Sequence, residues 1–330
     1  MKPFLLFSAI LLFAGACSQP SGTESVIALP EESHVVALDS VDTGVLLNPI
    51  DITATGNHLI VANMHKDTIF DVFDLQSLNY LYSDLIYGGG PNDMSRFRWI
   101  RPWEEDEFYT VGLGIPLITK INVGEEKMTV TGNQLVQWDR DICQNIYPLE
   151  DDRYLIQPGK KEGEWCLYDM SSGEVTDIPA LPFKEDEPEE KNLVKTFQNR
   201  TAQVAVHPGK NRIAFFYYKF PYMRLFDFKG QIVKEGCVGK KITDPSTCYN
   251  KEMGYYSKCV YTDSRIVVRY IPEDQQEGTT YFQVWDWDGN LLSRFEVQDM
   301  FYLFALSPDG KTLYAAKIDN DQLFWGKLPD

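Results

Sequence analysis

The chain has 330 residues, 44% hydrophobic, 13% aromatic and 24% charged, a composition that supplies a core and excludes collagen, coiled-coil and low-complexity classes. Its 48 Asp and Glu against 31 Lys and Arg give a formal charge of −17 and a pI near 4.7, a field that repels polyanions, so nucleic acid is not an expected partner. Six cysteines are too few for a disulfide scaffold in a chain of this length.

The first segment reads as an export signal. Lys2 precedes an apolar run over residues 3–13, too short to span a bilayer as a helix. Ala14-Gly15-Ala16-Cys17 follows, small residues before a cysteine in the manner of a bacterial lipobox, although leucine is commoner where Ala14 stands. The expectation is removal of residues 1–16, lipidation of Cys17 and a polar tether over residues 17–30; an ordinary cleaved signal with an incidental Cys17 is the plainer alternative. Cleavage would remove only Lys2 among the charges, leaving 30 basic and 48 acidic residues and a charge of −18. Because Ser18-Gln19-Pro20-Ser21-Gly22 carries no acid, an outer-membrane anchor facing the periplasm is expected over the cell surface.

Beyond the tether one phrase recurs: a short apolar strand, a polar or glycine turn, a second strand, then a hairpin. Its copies run over residues 50–85, 97–131, 146–178, 204–235, 259–297 and 303–328. Ile50, Phe97, Ile146, Val204, Val260 and Phe304 take equivalent places, spaced by 47, 49, 58, 56 and 44 residues. Such periods predict an all-β, six-bladed β-propeller in a single domain over residues 31–330, each blade a four-stranded antiparallel sheet. Turn residues suited to positive φ, as in Lys229-Gly230, Ser172-Gly173 and Asp288-Gly289-Asn290, mark hairpins between third and fourth strands. The last copy stops after three strands, and residues 34–38 are expected to supply its fourth and close the ring, removing exposed sheet edges. An irregular sandwich is the competing architecture.

In a ring of this kind the loops between blades and those between second and third strands share one face, the expected ligand side. It carries the most suggestive polar residues of an acidic protein: Arg96, Arg98, Arg140 and Arg200, which together could meet a carboxylate or acidic sugar, with His65 and Trp138 beside them. The competing reading pairs those arginines with Asp and Glu across blades. Trp99, Trp103 and Trp138 suit sugar stacking or, equally, packing between sheets.

Other motifs point to no chemistry. Residues 88–93 form a glycine-rich turn without the Gly-Lys-Ser/Thr ending or helix of a phosphate loop. His34, His58, His65 and His207 lack any zinc spacing, Asp286 and Asp288 belong to a hairpin turn rather than a calcium loop, and residues 184–191 are a charge run. No catalytic residue, metal or cofactor is assigned. The starts of the inner strands, Asn48, Asn145 and Gln203 with Arg96, Lys258 and Tyr302, offer amides and cations but no carboxylate, which favours a binding propeller over a cation-dependent lactonase or lyase. Cys143, Cys166, Cys237, Cys248 and Cys259 remain after the anchor; one disulfide among the last three and free buried thiols are equally open.

Together, the Ala14-Gly15-Ala16-Cys17 start, the Gly88-Gly89-Gly90-Pro91-Asn92-Asp93 turn with Phe97 beyond it, and the Ser307-Pro308-Asp309-Gly310-Lys311-Thr312-Leu313-Tyr314 ending resemble the TolB-like six-bladed propeller lipoproteins of the Bacteroidales. The resemblance spans residues 30–330. It implies the ring and the lipid anchor, and no catalytic residues; an anchored monomer that binds a protein or glycan partner is the expected function.

Overall fold

A computed structural model describes residues 25–64, 67–90, 93–140, 142–159, 165–183, 201–249 and 254–329. Three short strands come first, β1 (Val26–Ile27), β2 (His34–Val35) and β3 (Asp39–Asp42). Blade 1 is β4 (Pro49–Thr55), β5 (His58–Asn63), β6 (Phe70–Asp74) and β7 (Tyr80–Asp84). Blade 2 is β8 (Phe97–Pro102), β9 (Glu107–Gly112), β10 (Leu117–Val123) and β11 (Met128–Leu135). Blade 3 is β12 (Cys143–Pro148), β13 (Arg153–Pro158), β14 (Cys166–Asp169) and β15 (Val175–Asp177). Blade 4 is β16 (Ala202–His207), β17 (Arg212–Tyr217), β18 (Tyr222–Phe226) and β19 (Ile232–Val238). Blade 5 is β20 (Tyr256–Tyr261), β21 (Ile266–Tyr270), β22 (Thr280–Trp285) and β23 (Leu291–Val297). Blade 6 contributes β24 (Leu303–Leu306), β25 (Thr312–Ala316) and β26 (Gln322–Lys327).

Within each blade the strands pair antiparallel in chain order. First strands pack against first strands of neighbouring blades, β24 on β4, β4 on β8, β16 on β20 and β20 on β24, so they surround the axis. Helix is confined, among the described residues, to one 3-10 turn at Pro208–Lys210 and one α turn at Ser246–Tyr249.

Both faces of each sheet must be covered, and aromatic rings do it at the seams. Phe70 meets Phe108 at 5.2 Å between blades 1 and 2, Trp99 stacks on Tyr147 at 5.0 Å between blades 2 and 3, and Trp165 meets Phe215 at 5.1 Å in the next seam. Phe216 and Trp285 lie 5.4 Å apart between blades 4 and 5, and Phe282 and Phe304 5.0 Å apart between blades 5 and 6. The last seam is fastened by the Tyr314 hydroxyl, which donates to the Leu75 carbonyl at 2.9 Å. Each ring pair contributes roughly 0.5–1.5 kcal/mol beyond its buried area, so the aromatic content of the sequence is what joins six small sheets into one body. The expected hairpin glycines Gly173, Gly230 and Gly289 all have φ between +74° and +76°.

The ring is closed by the N-terminal segment, but not by residues 34–38. β3 pairs antiparallel with β26, Val41 opposite Leu323 and Ser40 opposite Phe324. Residues 34 and 35 instead lie parallel to the outer edge of blade 5, His34 opposite Phe295, and β1 lies parallel to the outer edge of blade 4, Val26 opposite Cys237. The reason is where the apolar side chains go. Val36 is buried among Phe295, Phe301 and Phe304, with Leu38 packed beside it, so this stretch plugs the seam rather than running along a ladder. An outermost strand needs only one covered face, and Asp39-Ser40-Val41-Asp42, with Val41 turned to the core, provides it. Gly326 permits the crossing: a Cβ there would stand 2.5 Å from Leu38 and 2.7 Å from the Ala37 carbonyl.

Cys143, Cys166, Cys237, Cys248 and Cys259 are buried, and no disulfide joins them in the structure. Residues 1–24, with Cys17, lie outside the described residues. No helix among the described residues is long and apolar enough to cross a membrane.

Candidate functional site

Three charged side chains from three blades meet in the channel. Asp51 stands in the middle of β4, where the register with β5 shifts between Pro49 and Asp51, and it is buried. Its Oδ1 accepts from Lys258 Nζ of β20 at 2.6 Å and from the Ile52 amide at 3.0 Å. Its Oδ2 accepts from the Ile100 amide at 3.0 Å and from Arg101 Nη1 of β8 at 3.3 Å. The β8–β9 register slips between Phe97 and Ile100, and the Ile100 amide is the donor that Asp51 receives there. Arg101 lies over the Trp99 ring at 4.9 Å and also donates to the Ile100 carbonyl at 2.7 Å; Lys258 Nζ lies 5.4 Å from the centre of the Phe304 ring.

Burial alone would raise the Asp51 carboxyl, but Lys258 and Arg101 overcome it and hold the group below its ordinary 3.8. Lys258 is held below the ordinary lysine value, because burial and the like charge of Arg101 together outweigh Asp51. Arg101 goes up: burial would lower it, but Asp51 together with Tyr147, Cys259 and Tyr261 outweighs the burial. Phenols and a thiol surround the guanidinium, and burial pushes all of them up, Tyr261 and Cys259 to about 12 and Tyr109 and Tyr147 further. At neutral pH they are uncharged, and the phenols remain hydrogen-bond donors.

Below this cluster the channel widens into a cavity of about 670 Å³. Six turns form its mouth, each joining the first and second strands of a blade, among them residues 55–57, 102–105, 206–208 and 260–263. Arg101 and Tyr109, both buried, and the half-buried Tyr261 line it, while Glu104, Glu105 and Asp263 are exposed at its rim. His207 stands on the wall with its ring edge-on to Trp287 at 4.9 Å and its Nε2 3.8 Å from Asp263 Oδ1. Burial lowers the His207 imidazole in spite of Asp263, so the ring is neutral at neutral pH.

This mouth lies on the face opposite the one favoured by the sequence. On the expected ligand face Arg96 is exposed at the approach to β8, and Arg98 is half-buried with Nη2 donating to Gln144 Oε1 of blade 3 at 3.1 Å. Arg140 lies 5.9 Å from the Trp138 ring, which is itself half-buried and edge-on to Tyr168 at 5.4 Å. Arg98 thus reaches blade 3, and Arg140 meets Trp138. Arg200 and His65 lie outside the described residues. Of the other tryptophans, Trp99 packs in a seam, and Trp103 borders the opposite mouth with Lys120 Nζ 4.0 Å from its centre.

The expectation that the channel offers no carboxylate is overturned by Asp51. It falls three residues beyond Asn48, in an Ile50-Asp51-Ile52 stretch where a lone acid interrupts an apolar strand. That interruption, matched by Arg101 between Ile100 and Pro102, is the signal in the sequence that could have found it. Among the described residues no three His, Cys, Asp or Glu are grouped as a metal centre requires.

Among solved structures, one of a member of the duf4221 family from Bacteroides vulgatus is similar at 12% identity, over 91% of this chain and 94% of that one, with a TM-score of 0.56. The β-propeller domain of Cps50 (Swd1) from Myceliophteria thermophila, at 9% identity over 88% of this chain and 98% of that one, has a TM-score of 0.46. At these identities the likeness concerns the fold alone. The curated proteins contain no sequence match. The family described as TolB-like 6-blade propeller-like matches residues 30–309, and the chain, with its six blades, belongs to that family.

Proposed function

We propose that this protein is a non-catalytic binding propeller, held to the outer membrane through Cys17 and facing the periplasm, that takes an end group of a protein or glycan partner into the cavity at its first-turn face. The observation that carries the binding reading is the state of Asp51. A lactonase-like or lyase-like propeller needs an available carboxylate to hold a hard cation or move a proton, whereas here the carboxylate of the channel is committed to two cations and two backbone amides. The cavity volume falls within the range of small-molecule sites, roughly 300–1,000 Å³. The anchor is supported by the small residues before Cys17 and the apolar run before them.

Two comparisons test this. Radiolabelled palmitate should enter the wild type and not Cys17→Ala, which should be released from membranes; label in both refutes the anchor. Partner capture from envelope extracts should be lost with Glu105→Arg/Asp263→Arg at the cavity rim and kept with Arg96→Glu/Arg140→Glu on the other face. The opposite pattern would move the site to the inter-blade loops.

A further inference from the structure

The channel cluster carries a net positive charge with no internal answer. Asp51 supplies one negative charge, Arg101 and Lys258 two positive ones; Asp51 and Arg101 are buried, and the Lys258 side chain is 13% exposed. Among the described residues Asp51 is the only carboxylate within ion-pairing distance of either cation. A buried charge without a counter-charge is costly, and there are two ways to relieve it: the lysine releases its proton, or an anion enters.

The arrangement favours the second. Arg101 is 9% exposed, its Nε has no hydrogen-bond partner, and it borders the cavity. A buried guanidinium with an idle N–H is half of a charge-assisted contact. Beside it, Tyr109 and Tyr261 also line the cavity; the Tyr109 hydroxyl donates to the Tyr261 oxygen, which leaves the uncharged Tyr261 O–H as the donor for a ligand. The rim bears Glu104, Glu105 and Asp263, which repel a polyanion but tolerate a molecule with one negative end and a neutral body.

We propose that the cavity wall around Arg101 is a monocarboxylate site, in which the guanidinium of Arg101 and the hydroxyl of Tyr261, held in place by Tyr109, receive a carboxylate that balances Lys258. It rests on the cavity being the binding site proposed above, and adds the chemistry of what enters: a small free carboxylic acid, or the carboxylate of a uronic acid at the end of a glycan.

Calorimetric titration of the purified full-length protein in detergent tests this with sodium acetate, sodium glucuronate and glucose. Acetate or glucuronate should bind and raise the unfolding midpoint, glucose should do neither, and Lys258→Met should weaken the anion by about tenfold or more while leaving the ligand-free protein at least as stable. Equal affinities for the two acids assign the site to free small anions, and glucuronate tighter by about tenfold or more assigns it to a sugar acid. Should Arg101→Gln fail to fold, Lys258→Met still decides, since it restores a balanced Asp51–Arg101 pair. Binding of neither acid, equal binding of glucose, or affinity unchanged in Lys258→Met overturns the proposal. That failure is distinct from failure of the cavity as a partner site, which would show as capture insensitive to Glu105→Arg/Asp263→Arg.

Discussion

Two ion clusters in this ring, each built around a buried arginine, use the same residue types to different ends. In blade 4 Arg224 donates through Nε to Glu235 at 2.7 Å and through Nη1 to the Pro179 and Ala180 carbonyls at 2.8 Å, while Tyr222 donates to the same carboxylate at 2.9 Å. Charge cancels, and the contact ties the end of blade 3 to blade 4. The channel cluster has three charges that do not cancel and an arginine N–H left over above a cavity. A pair that is balanced and fully engaged fastens structure; one that is unbalanced and incomplete beside a cavity has the form of a receptor.

The comparison breaks most directly at Asp51. Asp51→Asn leaves the buried Arg101 and the nearly covered Lys258 without a carboxylate and should cost about 3–5 kcal/mol in denaturant unfolding at neutral pH; a loss under about 1 kcal/mol would mean that water reaches both cations. Acid sharpens the same point. The folded value of Asp51 lies below 3.8, so its contribution is complete above that pH and is lost as pH falls through the folded value. Wild type and Asp51→Asn should therefore converge in stability on acidification.

Arg224→Met comes next, at about 2 kcal/mol, because the carboxylate it leaves keeps Tyr222 and some contact with solvent. If the blade 4 pair only fastens structure, replacing both partners should be nearly harmless: Arg224→Met/Glu235→Leu is expected within about 1 kcal/mol of the wild type in the same assay. Smallest of all is the exposed Lys240–Glu273 pair, where Lys240→Met should shift stability by at most about 0.5 kcal/mol. A larger effect there would show that chain entropy and screening fail to erase a surface contact in this ring.

The blades were legible because each restarts the same alternation after a polar turn, and strands that bury both faces must repeat their apolar residues. The closing strand was misplaced for a related reason: Val36 and Leu38 have the apolarity of a strand, yet they fill a seam, and the polar Asp39-Ser40-Val41-Asp42 forms the ladder. Lys258 was assigned to the channel from its place at the start of an inner strand. Its partners were not, because Asp51 and Arg101 lie 207 and 157 residues from it in sequence and meet it only once three blades are brought around one axis. The cavity itself has no local signature, being made by turns whose residues are ordinary taken singly.

The N-terminal strands also decide how this ring would yield to force. Residues 25–42 run along the outer edges of blades 4, 5 and 6, fixed first by β1, then β2, and only last by β3. Tension applied at Ser25 peels the two-residue attachments in turn before any load reaches the β3–β26 ladder. A pull delivered at Ser25 is thus spent on expendable stitches, and the ring stays shut until the third gives way.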